Sequence, residues 1–462
     1  MDRYDVAVIG AGSAGLVAAL TANRAGRKVA LLEKHKVGGE CTHSGCVPSK
    51  TFINSARAFH ALKGLEALGL PPAQTGSLEF ARVMEHVDAV VQGIYAHEQP
   101  QAFQAQGIDV LVDGAGARFL NAKEIQIGDK VIQSDYTVIC TGSAPMVIPI
   151  TGHRMEDILT NENFWRLREQ PPAVMFLGGG VIAAELGQSL ARLGTEVTIV
   201  DLGPRILGVV DDEVAEIAIA ALKEDGVRLI TSSKVTSCDV RQGGPNTVYV
   251  EQNGESRHFE TDAVLFAAMG RVPNTAGLDL EKAGVEYERR GIKSNDYLQT
   301  TAANIYAAGD VTTPYKFTHT ASYQANLCIQ NILNGNHKVN DLSVLPWAIF
   351  MEPEIGHVGL SEAQARKVHG DVRVFKVGTD SVDRFITESK TTGFMKVVMD
   401  ESDNILGADA VGAHAGEWIQ FITVAMKNKL PITAFTDMIF AYPSFSEIVQ
   451  KLFSRYIRSK VE

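Results

Sequence analysis

The stretch Val6-Ala7-Val8-Ile9-Gly10-Ala11-Gly12-Ser13-Ala14-Gly15 decides the fold, because it joins a short apolar run to a turn with three glycines. We predict a strand, a helix after the turn and a second strand, Val29 to Leu32, within residues 4–33. Glu33 ends that strand, about 20 residues beyond the glycines. This spacing suits a pyrophosphate at the helix N-terminus and an acidic hydrogen bond to a ribose hydroxyl. The segment therefore predicts a dinucleotide-binding fold.

The same pattern occurs a second time in the chain. Val174-Met175-Phe176-Leu177 leads into Gly178-Gly179-Gly180-Val181-Ile182-Ala183, and the strand Val197 to Val200 ends on Asp201. Two complete copies, each ending on an acidic residue, are improbable by chance. They imply two bound dinucleotides.

The first fold is predicted to resume near residue 270, after the apolar strand Ala263 to Phe266. Ile305-Tyr306-Ala307-Ala308-Gly309-Asp310 is predicted to be a further strand ending in Gly-Asp. After about residue 342 the glycine patterns stop, and we predict a strand at Phe394 to Val398 and helices at Glu417 to Lys427 and Phe445 to Tyr456. The economical architecture inserts one cofactor domain into another. The predicted domains are residues 1–149 with 270–341, residues 150–269, and a separate α+β domain at 342–462.

Two closely spaced cysteines follow the first fold. Cys41 and Cys46 lie in Gly38-Gly39-Glu40-Cys41-Thr42-His43-Ser44-Gly45-Cys46-Val47-Pro48-Ser49-Lys50. A helix would separate residues five apart by about 7.5 Å, and Cα atoms more than about 7 Å apart cannot be bridged without backbone movement. A disulfide therefore needs a distorted turn, which Gly45 permits. The pattern suggests electron transfer between a nucleotide cofactor and a disulfide; the alternative is two buried structural thiols.

Composition narrows the class of protein. A length of 462 residues suits about three domains, and the net charge of −11 without a basic run argues against nucleic acid. No apolar stretch reaches the roughly 18 residues of a membrane span, and the chain starts directly on a strand, so we expect no signal peptide. Five cysteines do not make a secreted disulfide framework. We expect a cytoplasmic enzyme with no nucleic-acid or membrane partner and no resident metal.

Together these features resemble the flavin-dependent pyridine nucleotide–disulfide oxidoreductases, which include dihydrolipoamide dehydrogenase, glutathione reductase and mercuric reductase. The resemblance runs from residue 4 to about residue 455. It implies that the first fold binds FAD, the second binds NAD(P)H, and the last domain forms a homodimer. The fold class expected is α/β, with two Rossmann-like dinucleotide-binding domains and a C-terminal α+β dimerisation domain.

The resemblance also assigns roles to residues. Cys41 and Cys46 match the redox pair, with Cys46 next to the flavin and Cys41 meeting the substrate. Lys50 matches a lysine near the flavin N5, Glu185 matches its ion-pair partner, and Phe317 to Ala321 resembles the segment under the flavin ring. The residues assigned to cofactor binding are Gly10, Gly12, Gly15, Glu33, Lys50, Thr141, Gly142, Gly178, Gly180, Asp201, Gly270, Gly309, Asp310, His319 and Ala321.

The family pattern is altered near the C-terminus. Disulfide-handling members carry a His-Pro motif, with a glutamate five residues beyond a histidine that serves the partner subunit as acid and base. Here Tyr442 replaces the histidine and Glu447 is retained. A phenol with an unperturbed pKa of about 10 is poorly matched to general-base work, and interface packing is the alternative role. Mercuric reductases also carry a tyrosine there, but they use a C-terminal cysteine pair, and no cysteine follows Cys328.

A second departure lies between the two cysteines and just before them. His43 stands where the family usually has asparagine, and Glu40 replaces a common threonine. His43 could replace the lost base within the same subunit, oriented by Glu40. The alternative is a capping or surface histidine.

The first interpretation is an FAD-dependent, NAD(P)H-linked oxidoreductase that passes electrons to a thiol or disulfide acceptor, similar to dihydrolipoamide dehydrogenase. Asp201 suits an unphosphorylated ribose, so NADH is favoured over NADPH, although Arg205 lies nearby. The alternatives are a metal-ion or electrophile reductase resembling mercuric reductase, and a redox-sensing flavoprotein. The partners expected are a second copy of the chain and a small-molecule or protein-bound disulfide or dithiol, or a metal ion. The residues expected to be catalytic are Cys41, Cys46, Lys50, Glu185, Tyr442 and Glu447.

Overall fold

The computed structural model describes residues 1–73, 76–240, 246–252 and 254–460. Residues 74–75 of the predicted first domain, 241–245 and 253 of the second, and 461–462 of the third therefore lie outside the described residues.

The strands are numbered in chain order. They are β1 (Asp2–Ile9), β2 (Val29–Glu33), β3 (Asp109–Val112), β4 (Ala117–Phe119), β5 (Glu124–Ile127), β6 (Lys130–Ile139), β7 (Ser143–Pro145), β8 (Ala173–Leu177), β9 (Glu196–Val200), β10 (Arg228–Ile230), β11 (Ser233–Asp239), β12 (Asn246–Gln252), β13 (Glu255–Thr261), β14 (Ala263–Ala267), β15 (Arg271–Pro273), β16 (Tyr287–Glu288), β17 (Gly291–Ile292), β18 (Ile305–Ala307), β19 (Pro346–Ile349), β20 (Glu354–Gly359), β21 (Arg373–Gly378), β22 (Phe394–Met399) and β23 (Ile405–Gly412).

The α-helices are numbered in the same way. They are α1 (Ser13–Arg24), α2 (Gly39–His43), α3 (Cys46–Ala61), α4 (Phe80–Tyr95), α5 (Pro100–Gln104), α6 (Val181–Arg192), α7 (Asp212–Glu224), α8 (Thr318–Asn334), α9 (Glu362–His369), α10 (Asp383–Thr387), α11 (Ala415–Trp418), α12 (Gln420–Asn428), α13 (Thr433–Thr436) and α14 (Glu447–Ser459). Short 3₁₀ helices occupy Leu62–Leu68, Met155–Asp157, Phe164–Arg166, Leu280–Ala283, Gly309–Val311 and Thr379–Ser381.

The first sheet has the order β3-β2-β1-β6-β5-β4, and β18 pairs with β6. The strands β1, β2, β3, β6 and β18 run parallel to one another. Their apolar runs are continuous because both faces of a parallel sheet are covered. The chain leaves this sheet after β6 and returns to it only at β18, so a second unit is inserted between the two.

The inserted unit contains a four-stranded parallel sheet in the order β10-β9-β8-β14. All five residues of β8 are buried. An antiparallel sheet, β11-β12-β13, belongs to the same stretch of chain. Each parallel sheet therefore carries a glycine turn between its first strand and its first helix, as the two sequence patterns predict.

The C-terminal sheet is antiparallel, with the order β19-β20-β23-β22-β21. Its apolar face joins Met395, Val397 and Ala408 to the helix residues Trp418 and Leu452 in one buried core. The predicted fold class is confirmed: two Rossmann-like sheets are followed by a separate α+β domain. Among the described residues, none of the helices combines the length and apolarity needed to cross a bilayer.

Two predicted helix boundaries were wrong. The predicted helix from Glu417 to Lys427 is divided into α11 and α12 at Ile419, although the backbone angles of Ile419 (φ −62°, ψ −24°) remain helical. The predicted helix from Phe445 begins instead at Glu447. The Glu447 side chain accepts a hydrogen bond from the backbone N–H of Ser444 at 2.8 Å, which fixes the chain at that entry.

Candidate functional site

A connected cavity of about 2960 Å³ is lined by residues of the first Rossmann-like unit, the inserted unit and the C-terminal domain. Pockets for one small ligand typically hold about 300–1,000 Å³, so this cavity has room for more than one. The predicted site residues that line it are Gly10, Gly12, Glu33, Cys41, Cys46, Lys50, Thr141, Gly142, Gly180, Glu185, Gly270, Gly309, Asp310, His319 and Ala321. The lining does not include Gly15, Gly178, Asp201, Tyr442 or Glu447.

The first glycine turn is shaped by two close approaches. Gly10 has φ +98°, and a Cβ at Gly15 would lie 1.8 Å from the Gly10 carbonyl oxygen, so only glycine fits there. Glu33 Oε2 accepts from the Ala11 N–H at 2.7 Å and Oε1 accepts from the His35 N–H at 2.8 Å. A carboxylate offers about four acceptor sites, so Glu33 keeps capacity for a ribose hydroxyl.

The second turn repeats this arrangement around Asp201. The Asp201 carboxylate accepts from the N–H of Gly179 at 2.5 Å and from the N–H of Gly203 at 2.6 Å. A Cβ at Gly178 would lie 2.6 Å from the Ala268 carbonyl oxygen. Asp201 and Gly178 thus stabilise the turn on the side away from the cavity, and Gly180 lines the cavity.

The two cysteines sit on either side of a helix break. Helix α2 ends at His43, α3 begins at Cys46, and the Gly45 N–H donates to the Glu40 carbonyl at 2.6 Å. A Cβ at Gly45 would lie 3.1 Å from that oxygen, so the turn is tight enough to favour glycine. Both cysteines are free thiols in this structure and are hydrogen bonded to each other. The structure therefore shows the distorted turn that the spacing predicts.

The pKa values of the two thiols are shifted in opposite directions. The hydrogen bond from Cys41, followed by the Thr318 hydroxyl and the Lys50 charge, lowers the pKa of Cys46 to about 6 against the opposing effect of burial. The hydrogen bond to Cys46 and burial raise the pKa of Cys41. Cys46 also starts α3, where the helix dipole favours a negative charge. Cys46 is therefore the more acidic thiol of the pair and the one that loses its proton first.

An ion pair connects this region to the inserted unit. Lys50 Nζ lies 2.8 Å from Glu185 Oε2, and Glu185 is only 5% exposed. The other Glu185 oxygen accepts from the Phe350 N–H at 2.8 Å, and Lys50 Nζ lies 4.7 Å from the centre of the Phe350 ring. The pair that the family resemblance implies is therefore formed between α3 and α6, and it is buttressed by the C-terminal domain.

The remaining predicted cofactor residues line the same cavity. The Thr141 hydroxyl donates to the Asn274 carbonyl at 2.7 Å, and His319 Nε2 contacts the Pro346 carbonyl oxygen at 2.7 Å. Gly142, Gly270 and Gly309 have φ values of +69°, +120° and +80°. Ala321 is buried, and its Cβ lies 3.2 Å from the position that a Cβ on Gly309 would take.

Sequence reasoning missed a polar network around Asp310. Asp310 Oδ2 accepts from the Ser143 hydroxyl at 2.7 Å, and Arg271 Nε lies 2.7 Å from the Ser143 oxygen. Arg271 also pairs with Glu40, whose other oxygen accepts from Asn161 Nδ2 at 2.7 Å. Burial raises the pKa of Glu40, opposed by the Arg271 charge. The only sequence signal for Arg271 was its place directly after Gly270.

A second missed residue is Thr318, which begins helix α8. Its Oγ1 lies 3.4 Å from Cys46 Sγ. The signal was its position between Phe317 and His319, in the segment expected under the flavin ring.

The structure does not place His43 as a base for Cys41. His43 Nε2 lies 2.8 Å from the Val37 carbonyl oxygen, and the ring meets Tyr95 edge-on at 4.8 Å. Glu40 is engaged by Arg271 and Asn161, so it does not orient His43 as the hypothesis required. The alternative, a histidine with a local structural role, agrees with these contacts.

Tyr442 and Glu447 lie away from the dithiol of their own subunit. The Tyr442 hydroxyl donates to Asp383 Oδ2 at 2.7 Å, and 71% of the residue is exposed. The hydrogen bond to Asp383 raises the pKa of Tyr442 further above its usual range. Glu447 caps the entry to α14. Among the described residues, no group of three or more His, Cys, Asp or Glu side chains is arranged to hold a metal ion.

Comparison with known proteins agrees with this geometry. The family model described as pyridine nucleotide-disulphide oxidoreductase matches residues 4–325, and the model of that family's dimerisation domain matches residues 345–453. A mercuric reductase of Staphylococcus aureus is 37% identical over 96% of this chain and 81% of its own length. A dihydrolipoyl dehydrogenase of Thermus scotoductus is 34% identical over 97% of this chain and 96% of its own length.

A solved structure extends the likeness to three dimensions. The Cu(II) complex of the HOCl-induced flavoprotein disulfide reductase RclA from Escherichia coli matches with a TM-score of 0.86 and 28% identity, covering 98% of this chain and 100% of that chain. With the glycine turns, the paired thiols and both family matches in place, the chain belongs to the FAD-dependent pyridine nucleotide-disulphide oxidoreductases.

Proposed function

We propose that the protein is an NADH-linked reductase that passes electrons through Cys41 and Cys46 to a thiolate-binding metal ion or a small electrophile. The observation that carries the proposal is the pair itself: Cys41 and Cys46 lie hydrogen bonded to each other on the wall of a cavity with room for more than one small ligand.

The residues around the first turn fit FAD. The glycine cradle at Gly10 and Gly12 leaves no side chain between α1 and a pyrophosphate, and Glu33 and Asp310 supply acceptors for hydroxyl groups. Bound FAD would take a hydride equivalent from NADH and supply two electrons to the disulfide.

The thiol pair receives those electrons with a defined proton balance. Two electrons and one proton break the Cys41–Cys46 bond and leave a thiolate on Cys46 and a thiol on Cys41. The Lys50 ammonium group and the Thr318 hydroxyl stabilise the thiolate. Glu185 fixes the position of Lys50 through its 2.8 Å ion pair.

The contacts around Asp201 support NADH over NADPH. A carboxylate at this position repels a 2′-phosphate. Arg205, the nearby cation, is occupied by the carbonyl oxygens of Leu207 and Val210 and by Asp212. It is therefore a poor partner for a phosphate.

The state of Cys41 supports an acceptor that needs no general base. The hydrogen bond to Cys46 and burial raise the pKa of Cys41, and Tyr442 is no neutral-pH base. A metal ion that binds sulfur displaces the thiol proton as it binds, because only the thiolate is a ligand. One NADH would then reduce two Cu(II) ions to Cu(I), releasing NAD⁺ and one proton. The mercuric reductase likeness and the Cu(II) complex of RclA also support this class of acceptor.

A second candidate is dihydrolipoyl dehydrogenase activity. It is supported by the retained Glu447 and by the 34% identity to a dihydrolipoyl dehydrogenase over nearly its full length. It differs from the first candidate in needing a base toward the substrate thiol.

We also propose that the protein acts as a homodimer through its dimerisation domain. Ile439 is 96% exposed and Tyr442 is 71% exposed in the single chain. A two-fold interface would cover them and bring Tyr442 and Glu447 toward the partner subunit's Cys41.

The test is anaerobic NADH oxidation with Cu(II), with Cu(I) measured by a colorimetric chelator. We expect sustained turnover with two Cu(I) formed per NADH, and a loss of about 100-fold or more in Cys41→Ser and Cys46→Ser. The matched control is Cys238→Ser, since Cys238 is buried in β11 and does not line the cavity. Faster turnover with dihydrolipoamide and NAD⁺ than with Cu(II) would favour the second candidate. A single reductive event without turnover would favour a redox sensor.

A further inference from the structure

The C-terminal sheet carries a row of polar side chains on the face opposite its apolar core. The strand register places Lys376, Lys396, Asp409, His357 and Trp347 side by side across all five strands. We call these five residues the cross-strand row. Phe394 and Val411, on the same face, pack with α7 of the inserted unit in one buried cluster. The row therefore lies where the C-terminal domain meets the second Rossmann-like unit.

Lys396 is the buried centre of the row. It is 1% exposed, and its Nζ lies 2.9 Å from Asp211 Oδ1, 3.4 Å from Glu213 Oε1 and 3.5 Å from Glu362 Oε2. Asp211 and Glu213 belong to the inserted unit, so the Lys396 side chain of the C-terminal domain forms ion pairs with a second domain. A buried ion pair adds little net stability, but removing one partner is costly. Stability alone is therefore a weak reason for this arrangement.

The carboxylate that Lys396 holds belongs to a segment of the cavity wall. Residues 205–212 connect the Asp201 turn to α7 and contribute Arg205, Gly208, Val209, Val210, Asp211 and Asp212 to the lining. The start of the segment is braced within its own unit, because Arg205 donates to the Leu207 carbonyl at 2.7 Å and the Leu207 N–H donates to the Gly179 carbonyl at 2.8 Å.

The end of the segment depends on the other domain. Asp211 precedes α7 and accepts from the Glu213 N–H at 3.2 Å, and the same oxygen faces Lys396. Asp409, the neighbour of Lys396 in the row, turns one carboxylate oxygen toward His357 at 2.8 Å and leaves the other buried without a hydrogen-bond partner in the part of the chain that the structure describes. The negative charge of Asp409 thus adds to the field that keeps Lys396 in place.

We propose that Lys396 is a positioning residue for the nicotinamide cofactor, holding segment 205–212 through Asp211 against the cavity in which that cofactor binds. The inference rests on the proposed function only in that the second Rossmann-like unit takes NADH. Because Lys396 acts on the cavity wall and touches no reacting group, its loss weakens cofactor binding and leaves the rate at saturation nearly unchanged.

The test compares three variants of the FAD-loaded protein: Lys396→Met, Lys396→Arg and Lys376→Met. NAD⁺ binding is measured by titration calorimetry, and KM and kcat are measured for NADH. We expect Lys396→Met to raise the NAD⁺ Kd and the NADH KM about tenfold, equivalent to about 1.4 kcal/mol, with kcat within about twofold. Hydrogen exchange in segment 205–212 should quicken. Lys396→Arg should recover most of the binding.

Lys376→Met is the matched control. Lys376 belongs to the same row and pairs with Glu213, but it is half-exposed and does not contact Asp211. We expect this variant to bind NAD⁺ as the wild type does. An equal effect of the two Met variants, or unchanged binding in Lys396→Met, would overturn the inference.

Two further outcomes have defined meanings. Wild-type protein that binds neither NAD⁺ nor NADH would refute the proposed function, and the inference with it, before any variant is compared. If Lys396→Met does not fold, Asp211→Asn decides, because the amide keeps an oxygen for the Glu213 N–H but loses the charge. Weakened NAD⁺ binding in Asp211→Asn supports the inference, and unchanged binding overturns it.

Discussion

The thiolate on Cys46 gives a pH dependence that can be worked out in advance. A pKa of about 6, against an ordinary value of 9.0, means that at pH 7 about 90% of Cys46 is thiolate instead of about 1%. The lower pKa also reduces the intrinsic nucleophilicity of the Cys46 thiolate by roughly 20-fold. Reactivity at pH 7 should therefore exceed that of an ordinary cysteine by only about fourfold, and it should be lost as the pH falls below 6.

The perturbation is Thr318→Val, which removes the hydroxyl 3.4 Å from Cys46 Sγ with little change in shape. A hydrogen bond to a charged group contributes about 1.5–3 kcal/mol, so the midpoint should rise by at least about 1 pKa unit. Thr320→Val is the matched control on the same helix. Thr320 is 1% exposed, and its hydroxyl has no hydrogen-bond partner among the described residues.

The assay is the rate of Cys46 modification by a small thiosulfonate between about pH 4.5 and 9, a range that spans the lowered pKa of Cys46. The modified residue is identified by peptide mass spectrometry. A Cys41→Ser background leaves one reactive thiol in the pair and keeps a hydroxyl donor toward Cys46. A Cys46 midpoint near the ordinary 9.0 in the Cys41→Ser protein, or equal midpoints after Thr318→Val and Thr320→Val are added to it, would refute the reasoning.

Three further predictions concern hydride transfer, the acceptor and the fold. Glu185→Gln should slow reduction of the bound flavin by NADH by about tenfold or more in stopped-flow measurements, because Lys50 loses its buried ion-pair partner. An unchanged rate would remove Glu185 from the mechanism. Tyr442→His should raise dihydrolipoamide oxidation at least about tenfold if the missing base limits it, since such bases contribute about 10²–10⁴-fold; an unchanged rate would mean that lipoamide does not fit the pocket. Gly15→Ala should lower the free energy of unfolding by about 1–3 kcal/mol or more, because its Cβ would meet the Gly10 carbonyl at 1.8 Å, whereas Gly64→Ala, with nothing within 4 Å, should be nearly neutral in thermal melts.

The parts of the fold that could be predicted are those with a local physical cause. The turn at Gly10 to Gly15 tolerates no Cβ at Gly15, and the apolar strands around it are continuous because the sheet is covered on both faces. The break between Cys41 and Cys46 was predictable for the same reason, since helix geometry cannot bring the two thiols together. In each case the constraint lies within a few residues of the motif.

The parts that could not be predicted depend on residues brought together by the tertiary fold. Arg271 and Glu40 pair across 231 positions, and nothing in the spacing of either residue indicates it. His43 looked available as a base because it stands two residues from Cys41, but the Val37 carbonyl and the Tyr95 ring occupy it. A sequence pattern shows which side chains are near one another along the chain and not which acceptors surround them.

The most direct test of the central claim is a count of thiols before and after reduction by NADH. Oxidised FAD-loaded protein is treated with NADH without oxygen, denatured, and labelled with a thiol reagent, and the labelled cysteines are located by mass spectrometry. If Cys41 and Cys46 carry the electrons, one NADH should expose two new thiols per chain, both in the peptide that contains these residues. An unchanged thiol count, or new thiols at Cys140, Cys238 or Cys328, would contradict the account.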